Sequence, residues 1–158
     1  MGRRRIMSDW YRRVSGNMGE IVNAISHYEK EIDQAKFECS MKGVLEKQSR
    51  DMPGIVEHRF NQLQEVEAIL EHLNTEMRKL RSQTFRKFLE NYNKALSSRD
   101  AEKYVDGEAP VVDLQYLINE FSLVRNKYIG IIKALEAKQF QINNVVKLRA
   151  AGLEDISL

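Results

Sequence analysis

Residues 53–96 read PGIVEHRFNQLQEVEAILEHLNTEMRKLRSQTFRKFLENYNKAL and carry the most regular pattern in this chain of 158 residues. Apolar residues recur there at intervals of three and four, which places them along one side of an α-helix. A helix of this length extends about 66 Å at a rise of about 1.5 Å per residue, so its apolar stripe needs a partner beyond local folding. The stripe consists of Phe60, Leu63, Val66, Leu70, Leu73, Met77, Leu80, Thr84 and Phe88.

A second, wider stripe runs from residue 111 to residue 151, and a stripe that wide needs more than one neighbour. Gly152 is placed to cap the end of this helix. We therefore predict an all-α fold in which two long antiparallel helices form a hairpin that completes its core by homo-oligomerisation. Residues 111–158 form the predicted oligomerisation helix, and the contact residues are Leu114, Leu117, Phe121, Val124, Ile131 and Leu135.

The rest of the chain shows weaker patterns. Residues 99–110 are predicted to be a connecting loop, because they contain a turn signal at Asp106-Gly107 and end on Pro110. Residues 1–48 form a smaller N-terminal segment of unassigned role, with a helix predicted from about Gly19 to Gln34. Residues 35–41 then alternate between apolar and polar, so a helix and a short extended arm both remain open there. Pro53 suits the first turn of a helix, so the long helix is predicted to begin there, in a segment comprising residues 49–98.

Composition narrows the class of protein. The chain is 42% hydrophobic and 30% charged, which is typical of one soluble domain or of a helical subunit completed by association. A single cysteine, Cys39, predicts a reducing, cytoplasmic compartment. No apolar run approaches the roughly 18 residues of a membrane span, and the N-terminal arginines are not followed by the apolar core of a signal peptide. We therefore expect no membrane association.

Catalytic and metal-binding patterns are absent from the sequence. His58 and His72 would lie about 21 Å apart along one helix, too far to share a metal, and His27 belongs to another segment. No His-Glu-x-x-His, phosphate-binding loop, Gly-x-Ser-x-Gly or glycine-rich dinucleotide turn occurs. We predict that the protein is not an enzyme and has no catalytic residues, metal or cofactor.

Charge divides the first long helix into two halves. Residues 55–76 contain five acids and one arginine, a net charge of −4, whereas residues 77–99 contain seven basic residues and one acid, a net charge of +6. Aromatic residues lie among these cations, and single-stranded nucleic acid needs both, cations for phosphates and rings for bases. Phe88 lies on the apolar stripe and is the better core candidate, whereas Phe85 is offset and is the better candidate to stack on a base. The predicted DNA-binding residues are Arg78, Lys79, Arg81, Phe85, Arg86 and Lys87.

Two of these stretches also carry a family resemblance. RKLRSQTFRKFLE at residues 78–90 and KALEAKQFQINNVVKLRAAGLED at residues 133–155, together with the helix start at Ser49 and Pro53, resemble the UvsY family of recombination mediators from T-even-like bacteriophages. The resemblance covers residues 45–155. This sequence departs from the family pattern in two ways. It lacks a glycine after the aromatic residues, and its residues 1–44 have no counterpart in the family.

The resemblance implies a function and a set of partners. Members of this family form ring-like homo-oligomers of about six or seven subunits through their C-terminal part. They bind single-stranded DNA and load the phage recombinase onto DNA covered by single-strand-binding protein, in the cytoplasm of the infected bacterial host. The basic residues that contact DNA correspond to Lys79 and Arg81, with Phe85 and Phe88 behind them.

A second interpretation remains open. Residues 100–123 have a net charge of −5, so they and the acidic half of the first helix have enough acids to pair with the basic stretches. The protein would then be a helical structural or adaptor protein, assembled by coiled-coil packing, with no nucleic acid role.

Overall fold

The computed structural model describes residues 9–91 and 97–152. Within those residues the chain is all-helical and contains no strand, which confirms the predicted all-α class. Tyr92, Lys94 and the end of the predicted first helix lie outside the described residues, as do residues 1–8 and 153–158. The helices are α1 (Trp10–Gly16), α2 (Ile21–Glu38), α3 (Leu45–Asn91), α4 (Ser98–Gly107) and α5 (Ala109–Ala150), with a 3-10 turn (Met18–Glu20) before α2.

The two long helices, α3 and α5, pack along each other, and their contacts run in opposite order. Near the middle of both helices, the Tyr128 hydroxyl donates a hydrogen bond to Gln62 Oε1 at 3.1 Å. Near the start of α3, Met52 shares a buried cluster with Ile142 of α5. At the other end, Asn91 and Glu108 line the same cleft.

Helix α2 is the second neighbour of α5. The Tyr28 ring meets the rings of Phe121 and Tyr128 edge-on, with centroids 6.2 and 6.0 Å away. Because α2 and α3 both cover α5, most of its apolar stripe is buried inside one chain, whereas Phe140 and Val146 of the same helix are 64% and 47% exposed. This corrects the prediction that the stripe faces other copies: Leu117 is half-buried, and the other predicted oligomerisation residues are buried in the two core clusters, namely Leu114, Phe121, Val124, Ile131 and Leu135.

Helix α3 begins eight residues earlier than predicted and continues through Pro53. A proline inside a helix removes one hydrogen bond and costs about 3 kcal/mol. Leu45 and Met52 are buried in the second core cluster, and burying each side chain contributes about 1.5–3 kcal/mol. The Ser49 carbonyl has no hydrogen-bond donor in the helix because Pro53 lacks an N–H group. Ser49 and Pro53 are both exposed, so this carbonyl is on the solvent side. Tertiary packing therefore outweighs the local break.

Two further differences concern short segments. Residues 35–38 belong to α2, so the predicted helix is extended and the alternative of an extended arm is wrong for them. The predicted loop 99–110 is largely α4, because Ser97 caps a helix: its hydroxyl accepts a hydrogen bond from the Asp100 amide at 3.2 Å and donates one to the Asp100 carboxylate at 2.8 Å. The predicted end of α5 is confirmed, since Gly152 follows it with a φ of 78°.

One position in the first apolar stripe is also different. Phe60 is 48% exposed, and the neighbouring Arg59 is buried in its place, 2% exposed. Arg59 lies one helical turn before Leu63, at the position that the stripe would assign to an apolar residue.

In the described part of the chain, no helix is long and apolar enough to cross a membrane.

Candidate nucleic-acid interface

The predicted basic residues lie on the last four turns of α3, and the structure divides them into two sides. Lys79, Arg86 and Lys87 follow the helical spacing i, i+7 and i+8, which places them on one side of α3. Gln83, at i+4, lies on this same side. Arg78, Arg81 and Phe85 follow the spacing i, i+3 and i+7 on the other side, towards α4. The six predicted residues are therefore not one continuous surface.

Arg78 and Lys79 form ion pairs within their own helix. Arg78 Nη2 lies 3.3 Å from Glu71 Oε1, and Lys79 Nζ lies 3.0 Å from Glu76 Oε1. Both basic side chains are more than 60% exposed. Exposed pairs of this kind contribute about 0.2–1 kcal/mol and are screened by salt. A phosphate group is thus able to replace either acid as the partner of the cation.

Arg81 has a partner on a different helix. Its Nη1 lies 2.6 Å from Asp106 Oδ1 of α4. This contact brings α4, which carries three acids (Asp100, Glu102 and Asp106) and two bases (Arg99 and Lys103), against the basic end of α3. A DNA phosphate would have to displace Asp106 to bind Arg81. Among the predicted phosphate contacts, this ion pair most favours the interpretation as a structural or adaptor protein.

Arg86 and Lys87 are exposed. Among the described residues, neither side chain has a hydrogen-bond partner or an acidic group within 4.0 Å. A cation that is not already paired needs no exchange of partners to bind a phosphate. These two residues, together with Lys79, form the basic side of α3.

The aromatic residues have different surroundings from those predicted. Phe85 is half-buried and packs against the main core cluster, so it is less available for stacking than its offset position suggests. Phe88 also packs on that cluster, but its ring lies against Tyr104 of α4, with centroids 5.6 Å apart and an angle of 28° between the planes. Phe88 in addition lines an open cleft, which Phe85 does not.

This cleft separates the end of α3 from the start of α5 and has a volume of about 520 Å³. The basic side of α3 reaches it through Lys87. Sequence reasoning missed its polar residues Gln83, Asn91 and Glu108, although Gln83, Lys87 and Asn91 follow one another at steps of four along α3. The described residues that line it are Leu80, Gln83, Thr84, Lys87, Phe88, Asn91, Glu108 and Pro110.

The histidines do not converge on a common site. His27 lies against the Trp10 ring, His72 lies near the Tyr11 ring, and His58 Nε2 lies 4.0 Å from Glu31 Oε2. Across residues 9–91 and 97–152, no group of three or more histidine, cysteine or acidic side chains is arranged to hold a metal ion.

Comparison of the chain with protein-family models, with curated proteins and with solved structures found no match in any of the three.

Proposed function

We propose that this protein is a non-enzymatic recombination mediator. It binds single-stranded DNA without sequence preference and helps a recombinase assemble on DNA covered by single-strand-binding protein, in the cytoplasm of a phage-infected bacterium. The observation that carries this proposal is the basic side of α3: Lys79, Arg86 and Lys87 lie on one side of a helix, beside an open cleft, and none of them pairs with another helix in the described residues.

The proposed mechanism needs no covalent chemistry by this chain. A single strand binds through its phosphates, and binding releases counterions, so affinity depends on salt and not on base sequence. If each subunit presents three cations, one strand engages several subunits at once, and avidity supplies affinity that a single subunit lacks. A strand held across several subunits has a shape set by the assembly, which assists nucleation of the recombinase.

A homo-oligomer, proposed as a ring of about six or seven copies of the antiparallel helical hairpin, requires an apolar surface that the monomer leaves open. The predicted contact residues are buried, but another side of α5 has Tyr116 and Leu123, which are 64% and 55% exposed. Leu123, Gly130 and Ala137 repeat every seven residues on that side, so a second helix is able to approach closely. This exposed side of α5 supports the proposed association and replaces the six residues inferred from the sequence.

The test is a titration of fluorescently labelled oligothymidylate at two or more salt concentrations. In the variant Lys79→Ala/Arg86→Ala/Lys87→Ala, three phosphate contacts are removed, so affinity falls and the slope of log K against log salt flattens by about 2. The matched control is Lys30→Ala/Lys36→Ala/Arg50→Ala, which removes three exposed cations from α2 and the start of α3. Equal affinity and equal salt slope in the parent and the first variant would contradict the proposal.

The structural or adaptor function is the second candidate, because the Arg81–Asp106 contact at 2.6 Å pairs a basic and an acidic segment within the chain. Asp106→Asn distinguishes the two functions. In a DNA-binding protein it frees Arg81 and removes a negative charge beside the strand, so affinity rises. In an adaptor protein neither the parent nor the variant binds the oligonucleotide. Asp51→Asn, at the opposite end of α3, is the control.

A further inference from the structure

The cleft between the end of α3 and the start of α5 contains polar side chains that have no partner among residues 9–91 and 97–152. Gln83, Lys87, Asn91 and Glu108 all line it, and none of their side chains forms a hydrogen bond or ion pair with another described residue. Glu108 precedes α5 at the capping position, yet its side chain accepts no hydrogen bond from the helix. The Thr84 hydroxyl, in contrast, donates a hydrogen bond to the Leu80 carbonyl at 2.7 Å.

Apolar groups supply the other part of the lining. The hydrophobic walls of the cleft are formed by Leu80, Phe88 and Pro110. The Phe88 ring is held in place by its contact with the Tyr104 ring. A volume of about 520 Å³ falls within the usual range for small-ligand sites, roughly 300–1,000 Å³. Hydrophobic walls with a few convergent polar groups match a planar heterocycle whose edge forms hydrogen bonds.

Charge determines which part of a nucleotide enters the cleft. The Glu108 carboxylate lines it and repels a phosphate, whereas Lys87 lies on the basic side of α3, where phosphates are attracted. The amides of Gln83 and Asn91 both donate and accept hydrogen bonds, so they are able to pair with the edge of any base. The phosphates therefore remain outside, and the base enters.

We propose that this cleft binds one nucleobase of a single strand whose phosphates lie along Lys79, Arg86 and Lys87. The inference rests on the proposed DNA-binding function and adds a base-binding site that the phosphate contacts do not require. Stacking against the apolar wall supplies affinity, and the adaptable amides keep that affinity independent of base identity.

The experiment compares two labelled oligonucleotides of equal length and charge, one of thymidine nucleotides and one of abasic tetrahydrofuran units. The parent protein is expected to bind the thymidine strand about fivefold or more tightly, because a base that stacks on a protein side chain contributes at least this factor. In Gln83→Ala/Asn91→Ala the difference is expected to shrink, while the salt slope stays that of the parent because no charge changes. Both residues are exposed, so the variant preserves the core.

The matched control is Asn61→Ala/Gln64→Ala, which makes the same chemical change on exposed positions of α3 away from the cleft. It should retain the full preference for the strand with bases. Equal binding of both strands by the parent would overturn the base site and leave the phosphate interface intact. A preference that persists in Gln83→Ala/Asn91→Ala would place the base elsewhere and also overturn the inference. Binding of neither strand would overturn the DNA-binding function itself.

Discussion

Arg59 of α3 forms a two-point ion pair with Glu38 at the end of α2. Its Nε lies 2.9 Å from Glu38 Oε2 and its Nη2 lies 2.6 Å from Glu38 Oε1, while Nη1 lies 2.8 Å from Glu31 Oε2. Hydrogen bonds to Glu38 raise the pKa of Arg59, and burial opposes this only in part. The guanidinium thereby fixes the position of α2 on the long helix.

Removing this cation should strongly destabilise the fold. Arg59→Ala leaves two partly buried carboxylates without their partner, and breaking a buried pair in this way costs about 3–5 kcal/mol. The lower end applies, because the Glu31 and Glu38 side chains keep 21% and 28% exposure. Urea unfolding followed by circular dichroism measures the change. Arg50→Ala, which removes an exposed pair with Glu46, is the control and should change the free energy of unfolding by less than about 1 kcal/mol. Equal stability of Arg59→Ala and the parent would show that the pair contributes nothing.

Acid should weaken the same connection. Burial alone would raise the pKa of Glu31, but hydrogen bonds from Gln62 and Arg59 outweigh it and hold the pKa below its ordinary value of 4.5. A carboxyl with a lowered pKa in the folded state stabilises the protein above its unfolded pKa, and this contribution is lost as the pH falls through the folded value. The stability gap between the parent and Glu31→Gln should therefore be constant near neutral pH and shrink below about pH 4.5.

The measurement is the urea midpoint at a series of pH values. Glu67→Gln changes an exposed acid of α3 and is the comparison variant. A gap for Glu31→Gln that does not change between neutral pH and about pH 3 would contradict the assigned role of the carboxylate.

The two prolines should respond oppositely to replacement by alanine. Pro53→Ala restores a missing hydrogen bond in the interior of α3, so it should raise the free energy of unfolding by about 1–3 kcal/mol. Pro110→Ala lies in the first turn of α5, where no helical hydrogen bond is lost and proline is favourable, so it should have no effect or slightly destabilise. Thermal unfolding of both variants tests this, and destabilisation by Pro53→Ala would show that the proline ring has a packing role.

Subunit association should depend on the exposed side of α5 and not on its buried stripe. Leu123→Glu introduces a charge at a 55% exposed position, so it should dissociate the oligomer while leaving helix content unchanged. Ile131→Glu buries an unpaired charge at a position that is 8% exposed, so it should lower the melting temperature of the chain itself. Sedimentation velocity and circular dichroism separate the two effects. A monomeric parent at micromolar concentration would contradict the association.

Local periodicity and capping were sufficient for part of this fold. Leu63, Val66, Leu70, Leu73 and Met77 recur with helical spacing and are buried, and Gly152 ends α5 with the positive φ that glycine tolerates best. The Ser97 to Asp100 capping pair was also readable from the residues, although the surrounding turn signals led to a predicted loop. These features depend only on residues a few positions apart in the chain, so they can be predicted from the sequence alone.

The tertiary structure decided the features that depend on distant partners. Arg59 is buried because Glu31 and Glu38 of another helix satisfy its charge, and α3 crosses Pro53 because Leu45 and Met52 pack on a separate cluster. The stripe of α5 became an internal core because α2 covers it, and Arg81 acquired Asp106 as a partner because α4 folds against α3. In each case the energy comes from burial or pairing between segments 20 or more residues apart, which spacing within a single helix does not encode.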